Sequence, residues 1–331
     1  MVYYKRRNRK YACFQSAARG DRTLKKYLPL AANLISQTLL GFAYLFIRMG
    51  MSVLEQDALK FSAFRYILAF LMLSLVLLLP GHPKLRYGKQ GLALLLLCSL
   101  FNPLTSQLAK TASTTYVATS LISLFNSMIP VVMIGFSALL NREYPTKKQT
   151  GFVLLTVFGM AIASIAEWNG DALTLRGLFF VLSYVITISL SRVLVRRATG
   201  TFSTYTITYF QTMIGAIGFT ALSLGGHLLS GAPIPAYFAA LSSPELAIAL
   251  LYTSAGTCVL AFLLMNYASA HLPFAVYSAS CTWSTVVGIL SGVFLLHESF
   301  SFPQAVGTIV IFVGILGISF SYDRGDHRFQ K

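Results

Sequence analysis

Charge is scarce in this sequence. Only 11% of the 331 residues are charged, against about a quarter in a soluble domain, while 56% are hydrophobic. That scarcity excludes a disordered chain and an ordinary cytosolic enzyme. Acid is scarcer still, with ten Asp and Glu against 26 Lys and Arg. There are four cysteines and no CxxC pair. Cys98, Cys258 and Cys281 sit in apolar runs and Cys13 in a basic stretch, so neither a disulfide framework nor a zinc-ligand spacing is signalled. A buried thiol packs as a small hydrophobe. Catalytic signatures are missing as well. No GxSxG occurs, and none of His82, His227, His271, His297 and His327 belongs to HExxH, since Ser301 stands where His297-Glu298 would need a second His. These gaps argue against an enzyme, and no metal or other cofactor is implied.

What the sequence has is a series of apolar runs about twenty residues long, with a mean hydropathy of +0.68. Ten spans are expected, roughly 28–49, 61–80, 91–109, 116–140, 150–166, 175–195, 204–224, 244–267, 273–296 and 303–321. The fold class is therefore an all-α polytopic membrane protein. The first run is too long for the apolar core of a signal peptide and has no small-residue cleavage site after it. Loops are short, and the longest, about 225–243, is rich in Gly, Ser and Pro. No soluble domain fits between spans, so function must reside in the bundle.

The net charge of +16 is half accounted for by residues 1–26, which carry nine Lys/Arg and one acid, Asp21. A basic tail before a first span anchors topology against anionic headgroups. No basic-aromatic module surrounds it, so nucleic acid is not an expected partner. With the N-terminus placed in the cytoplasm, 21 of the 26 cations fall on the inner side and five (Arg48, Lys60, Arg65, Lys110 and Arg176) on the outer half. Ten spans then put both termini inside a cell (plasma or inner) membrane.

Residues 141–164 and 296–319 match at an offset of 155. Glu143 meets Glu298, Thr146 meets Ser301, Gln149 meets Gln304, Gly159 meets Gly314 and Ser164 meets Ser319. Two halves of five spans each have opposite orientation, because five is odd, which is the plan of many secondary transporters. The expected parts are a tail 1–26, repeats 27–166 and 167–321, and a tail 322–331. Some of the match is structural. Thr146-x-x-Gln149 and Ser301-x-x-Gln304 read as capping boxes, the two Glu precede helix N-termini that favour negative charge, and the two Gly read as close-packing sites.

Several segments carry a family resemblance. They are GFAYLFIRMG (41–50), FRYILAF (64–70), LAKTASTTYVATSLISLFNSMIPV (108–131) and FLLHESFSFPQAVGTIVIFVGILG (294–317). Over about residues 28–321 the chain resembles the EamA family of the drug/metabolite transporter superfamily. Leu40 stands where the family often has Trp, Arg48 where it has Lys, His297 where it has Gly, and Ser284-Thr285 where a second proline is common. The resemblance implies ten spans in two inverted five-span repeats and a small organic cargo. An amino acid or related compound, exported, is the implied case.

Candidate cavity residues are the helix breakers and intramembrane polar groups. Asn102-Pro103 interrupts span three and Gly256-Thr257 span eight, at nearly matching repeat positions. Such pairs mark transporter sites, and the alternative is a harmless kink. Pro130 frees the carbonyl of Asn126 in span four, beside that residue's own amide. Ser280, Thr282, Trp283 and Ser284 lie at comparable depth in span nine. Gln37, Tyr184 and Gln211 are further intramembrane polar groups, each either facing cargo or bonding a neighbouring helix for roughly 1 kcal/mol. Arg65 either attracts an anionic group or pairs with Glu55 or Asp57, whereas Lys110 is expected to snorkel to the outer interface.

No carboxylate lies deep in a span, so no proton relay is evident, which favours facilitated diffusion or exchange. The stripe Ser284-x-x-x-Gly288-x-x-x-Gly292 permits close packing within the chain or against a second protomer, leaving monomer and homodimer open. A non-transporting receptor or scaffold, or an uptake permease, has the same sequence features as an exporter.

Overall fold

The structure, a computed structural model, describes residues 2–78, 85, 89–141, 146–168, 174–231, 233–272, 274–298 and 300–323. Among the described residues, seven helices are long and apolar enough to cross a membrane. They are α1 (Leu28–Val53), α2 (Ala58–Val76), α3 (Gly91–Tyr116), α4 (Thr119–Leu140), α6 (Leu175–Ala198), α7 (Thr204–Leu229) and α8 (Pro244–His271). Three apolar helices are shorter: α5 (Thr150–Ala163), α9 (Trp283–Leu295) and α10 (Phe302–Gly317). Helix α1 is the apolar end of a continuous helix Val2–Val53, and α9 is short because the chain breaks at Thr282 after the helix Phe274–Cys281.

The polarity is that of a bundle solvated by lipid. Leu75, Leu78, Leu154, Phe158, Phe179, Ile217 and Phe294 face outward, while Asn33, Gln37, Asn102, Thr111, Ser123, Gln211 and Asn266 are buried. Lipid tails solvate the leucines, whereas polar groups must find partners inside. Side chains cap several helix starts, namely Asp57 on Lys60 N, Thr174 on Gly177 N and Ser203 on Thr206 N. Before α10 the expected capping box forms in both directions, Ser301 N to Gln304 Oε1 at 2.7 Å and Gln304 N to Ser301 Oγ at 3.4 Å. The Gln149 side chain and Glu143, which belong to the other expected box and its flanking acid, lie outside the described residues.

Helices pair across the two halves. The main contacts are α5 with α10, α1 with α8, α3 with α6, α2 with α7, α1 with α9, α4 with α6, α3 with α7, α2 with α8 and α4 with α9. Shifting every helix number by five maps α1–α8 onto α6–α3, α1–α9 onto α6–α4, α2–α8 onto α7–α3 and each other pair onto itself. Small residues permit the closest approach. A Cβ on Gly307 would lie 2.6 Å from the Gly159 carbonyl oxygen, and one on Gly159 would lie 2.9 Å from the Ile311 nitrogen. The α9 stripe is used within the chain, with Gly288 against Ser123 of α4 and Gly292 against the Ser120 amide and Glu298.

One end of the bundle gathers the C-termini of α4, α6 and α8, where Arg197 donates to the Leu140 carbonyl at 2.7 Å and Arg196 to those of Ser269 and Leu272. At the other end Glu298 accepts from the Thr119 and Ser120 amides, each at 2.8 Å, and pairs with Arg48. The glutamate thus caps α4, a helix of the other half, rather than its own helix. The 225–243 connector is largely helical. Helix α7 runs on to Leu229, and Ile234–Phe238 and Ala239–Ser242 follow as short turns. Its aromatics explain this order. Tyr237 is buried edge-on against Phe64 and donates to Ser223 Oγ at 2.8 Å.

Candidate functional site

Four helices are interrupted, in two matched pairs. In α3 the backbone leaves helical geometry at Asn102 (φ −140°, ψ 111°), inside a widened turn Leu100–Thr105. In α8 a widened stretch runs Tyr252–Ala261 and contains Gly256 and Thr257. The second pair is in α4, broken at Ser127–Met128 between helices Thr119–Asn126 and Ile129–Asn141, and at Thr282 before α9. Ser127 and Thr282 are 155 residues apart, the offset of the sequence repeat. Pro130 follows the first break, whereas Thr285 holds the matching place in the second, its amide turned to the Thr282 carbonyl at 2.9 Å. The break therefore does not need proline.

Breaks free backbone groups, and side chains take them up. Asn102 is the hub. Its Oδ1 accepts from Ser106 Oγ at 2.9 Å and from Gln107 Nε2 at 3.1 Å, and its carbonyl accepts from Gln211 Nε2 at 3.2 Å. Gln211 Oε1 in turn accepts from Asn266, which also donates to Thr208 Oγ1 at 2.9 Å. The kink of α3 is thereby tied to α7 and α8.

Gln107 reaches from this network into a cavity of about 20 Å³ at mid-depth, room for about one water molecule. Gln107 and Lys110 of α3, Asn126 of α4, Tyr184 and Arg192 of α6 and Ser284 of α9 form its polar wall. Leu40, Ile129, Ile188, Phe262 and Met265 form the apolar wall. Residues of both halves meet here. Lys110 Nζ stands 4.2 Å from the centroid of the Tyr44 ring and 5.9 Å from that of Tyr184, within cation–π range. Asn126 Nδ2 donates to the Tyr44 hydroxyl.

Of the fourteen residues singled out in the sequence, Asn126, Tyr184 and Ser284 line this cavity. Asn102 and Gln211 stand behind it in the network. Pro103 is buried close to Gly215, where a Cβ would meet its ring at 2.7 Å, and Pro130 is buried just past the α4 break. Gln37 and Ser280 belong to a separate chain, in which Gln37 donates to Asn33 at 3.3 Å and Asn33 to Ser280 Oγ at 2.6 Å. Thr257 bonds its own helix at the Thr253 carbonyl, and Gly256 has only the Tyr252 ring within 4 Å of where a Cβ would be. Trp283 faces outward, 43% exposed, and donates to Thr38 at 2.9 Å; its neighbour Ser284 turns inward instead. Arg65 is fully buried, donating to Thr111 Oγ1 at 3.2 Å and lying over Phe61 and Tyr66, with no ion pair to Glu55 or Asp57 among the described residues.

One cavity residue overturns a sequence expectation, and a second was counted only among the inner-side cations at the end of span six. Lys110 does not snorkel to the interface, being only 3% exposed, and Arg192 is 7% exposed within the bundle. Helical spacing carried the signal. Pro103, Gln107 and Lys110 fall on one face of α3, and Tyr184, Ile188 and Arg192 on one face of α6.

The sequence matches the EamA-like transporter family twice, at residues 28–165 and again at 175–320. It is 23% identical over 298 residues to the uncharacterized transporter YcxC of Bacillus subtilis (strain 168), a match covering 90% of this chain and 94% of that protein. A protein of known crystal structure shares the fold at a TM-score of 0.57 and 16% identity, with 87% of this chain and 98% of the other covered. With both halves matched, this multi-pass membrane protein belongs to the EamA-like transporter family, within the drug/metabolite transporter superfamily.

Proposed function

We propose that the protein is a secondary carrier that moves a small organic metabolite by alternating access, rocking one five-helix repeat against the other around the mid-depth cavity. The carrying observation is the cavity itself, which lies where matched interruptions in α3, α4, α8 and α9 converge and is walled by both halves. In this reading all ten apolar helices cross the bilayer. The 1–26 and 322–331 tails are cytoplasmic, the repeats 27–166 and 167–321 are inverted, the membrane is the plasma or inner membrane, and the direction is export. The pairing of helices five apart supports the inversion. A cavity that admits about one water requires a wider conformation for cargo entry, as alternating access demands.

Counterflow tests the reading. Proteoliposomes loaded with a pooled metabolite library are expected to take up at least one labelled member saturably, with uptake reduced by Asn126→Ala. Binding without flux would make the protein a receptor. The absence of a carboxylate from the sequence of the mid-span segments supports exchange or facilitated diffusion; uphill transport driven by an imposed pH gradient would count against that mode.

A further inference from the structure

Among the described residues, two cations stand in the cavity wall without an anion. Lys110 and Arg192 are 3% and 7% exposed, come from α3 and α6, and border the same void. Arg192 Nε has no hydrogen-bond partner among the described residues. The helices that wall the cavity, α1, α3, α4, α6, α8 and α9, contain one acid among them in the sequence, Glu245. Glu245 is exposed at the start of α8 and accepts from Ser243 at 2.6 Å. It lies twenty residues before the cavity residue Met265, roughly 30 Å along a helix. It cannot serve as counter-charge. Glu298 is held by the α4 amides and Arg48 at the end of the bundle.

Unpaired buried cations are costly, and cost most in a membrane interior. The tyrosine rings beside Lys110 recover only part of that cost. The missing element is a negative charge, and the void is where it would enter. We propose that the cargo is a small organic anion whose carboxylate or phosphate group is held by Lys110 and Arg192, with its apolar body against Ile188, Phe262 and Met265. Guanidinium and ammonium both suit such oxygens, the first by paired hydrogen bonds and the second as a point charge. Gln107 and Ser284 supply uncharged polar contacts at the same wall. The inference deepens the carrier reading and rests on it for the word cargo, although its binding test does not need flux.

The test uses the full chain purified in uncharged detergent and follows thermal unfolding with matched probes. These are hexanoate against hexanamide, benzoate against benzamide, glycerol 3-phosphate against glycerol, and chloride alone. At least one organic anion is expected to raise the melting temperature saturably while its neutral counterpart does not; the carboxylate and phosphate arms show which oxygens are preferred. Lys110→Met and Arg192→Gln are each expected to weaken that binding by about ten- to a hundredfold, the effect of one charge-assisted contact. Lys110→Arg is expected to retain most of it. Because each neutral variant removes an unpaired buried charge, unliganded melting is expected to stay level or rise, so lost binding cannot be ascribed to misfolding. Stabilisation by neutral partners or chloride equal to that by organic anions overturns the proposal. So does unchanged affinity in both variants, or the absence of stabilisation by any anion at millimolar concentration. Anion binding without vesicle flux would defeat the carrier reading and leave this one standing. Saturable flux of a neutral solute, indifferent to Lys110→Met and Arg192→Gln, would do the reverse.

Discussion

At the scale of single residues, the sharpest contrast is between the two partners of one ion pair. Glu298 is 9% exposed and accepts two α4 amides, whereas Arg48 is 44% exposed. Removing a buried charged acceptor leaves two helix-end donors unsatisfied, so Glu298→Ala is expected to cost about 2–3 kcal/mol. Arg48→Ala loses a screened, exposed contact and is expected to cost less than about 1 kcal/mol. Unfolding titrations in mixed micelles, followed by helicity, measure both; equal losses would mean that the glutamate acts mainly through the arginine. Its neighbour His297 occupies φ 51°, the left-handed region, at the position where the family resemblance expects Gly. The side chain is exposed, so His297→Gly is expected to stabilise by about 0.5–1 kcal/mol in the same titration. The substitution was legible in the sequence as a departure from the family, and the backbone gives its consequence.

At the scale of helices, depth read from distance along a span misplaced Lys110 and Arg192, and the reason is directional. A helical side chain leans toward the N-terminus of its own helix. Lys110 is six residues before the end of α3 and Arg192 six before the end of α6, so both lean inward, away from the nearer helix end. A reading that counts only residues to the helix end sends each to the interface. The breaks were partly legible. Asn102-Pro103, Gly256 and Pro130 announced three of them through missing donors or missing side chains, but Thr282 is flanked by no proline or glycine and carried no local mark. Of the glycines, Gly159 and Gly314 were legible as a repeat match, and the structure separates those that set spacing from those that do not. Gly307 meets backbone atoms of α5, while Gly135 has nothing within 4 Å of a Cβ. Gly307→Ala is accordingly expected to push α10 from α5 and cost about 1–3 kcal/mol. Gly135→Ala is expected to be neutral or to stabilise by up to about 1 kcal/mol through helix propensity. Similar losses at both sites would remove close packing as the role of the α5–α10 seam.

At the scale of the whole molecule, the parity of crossings decides whether the two halves are inverted. The 155-residue offset recurs in the breaks of α4 and α9, and the exchange of α1–α8 with α6–α3 is what a two-fold relation between the halves produces. If α1 to α10 all cross, the connector 225–243 follows seven crossings and the termini flank an even number, so connector and tails face opposite sides. If α5, at fourteen residues, fails to cross, everything after it changes side and the repeats become parallel. A thiol probe distinguishes these cases with little perturbation. Ser242 is exposed in the connector, and Cys98, Cys258 and Cys281 are buried, so Cys13→Ser supplies a quiet background. A membrane-impermeant maleimide is expected to label Ser242→Cys in intact cells and to label a cysteine at position 326 only after permeabilisation. The nine Lys and Arg of residues 1–26 assign the cytoplasmic side in this expectation, through the bias of cations toward the inner face. Labelling of both positions under the same condition would show an even number of crossings between them, and the two halves could then no longer rock about a shared mid-depth cavity as inverted copies.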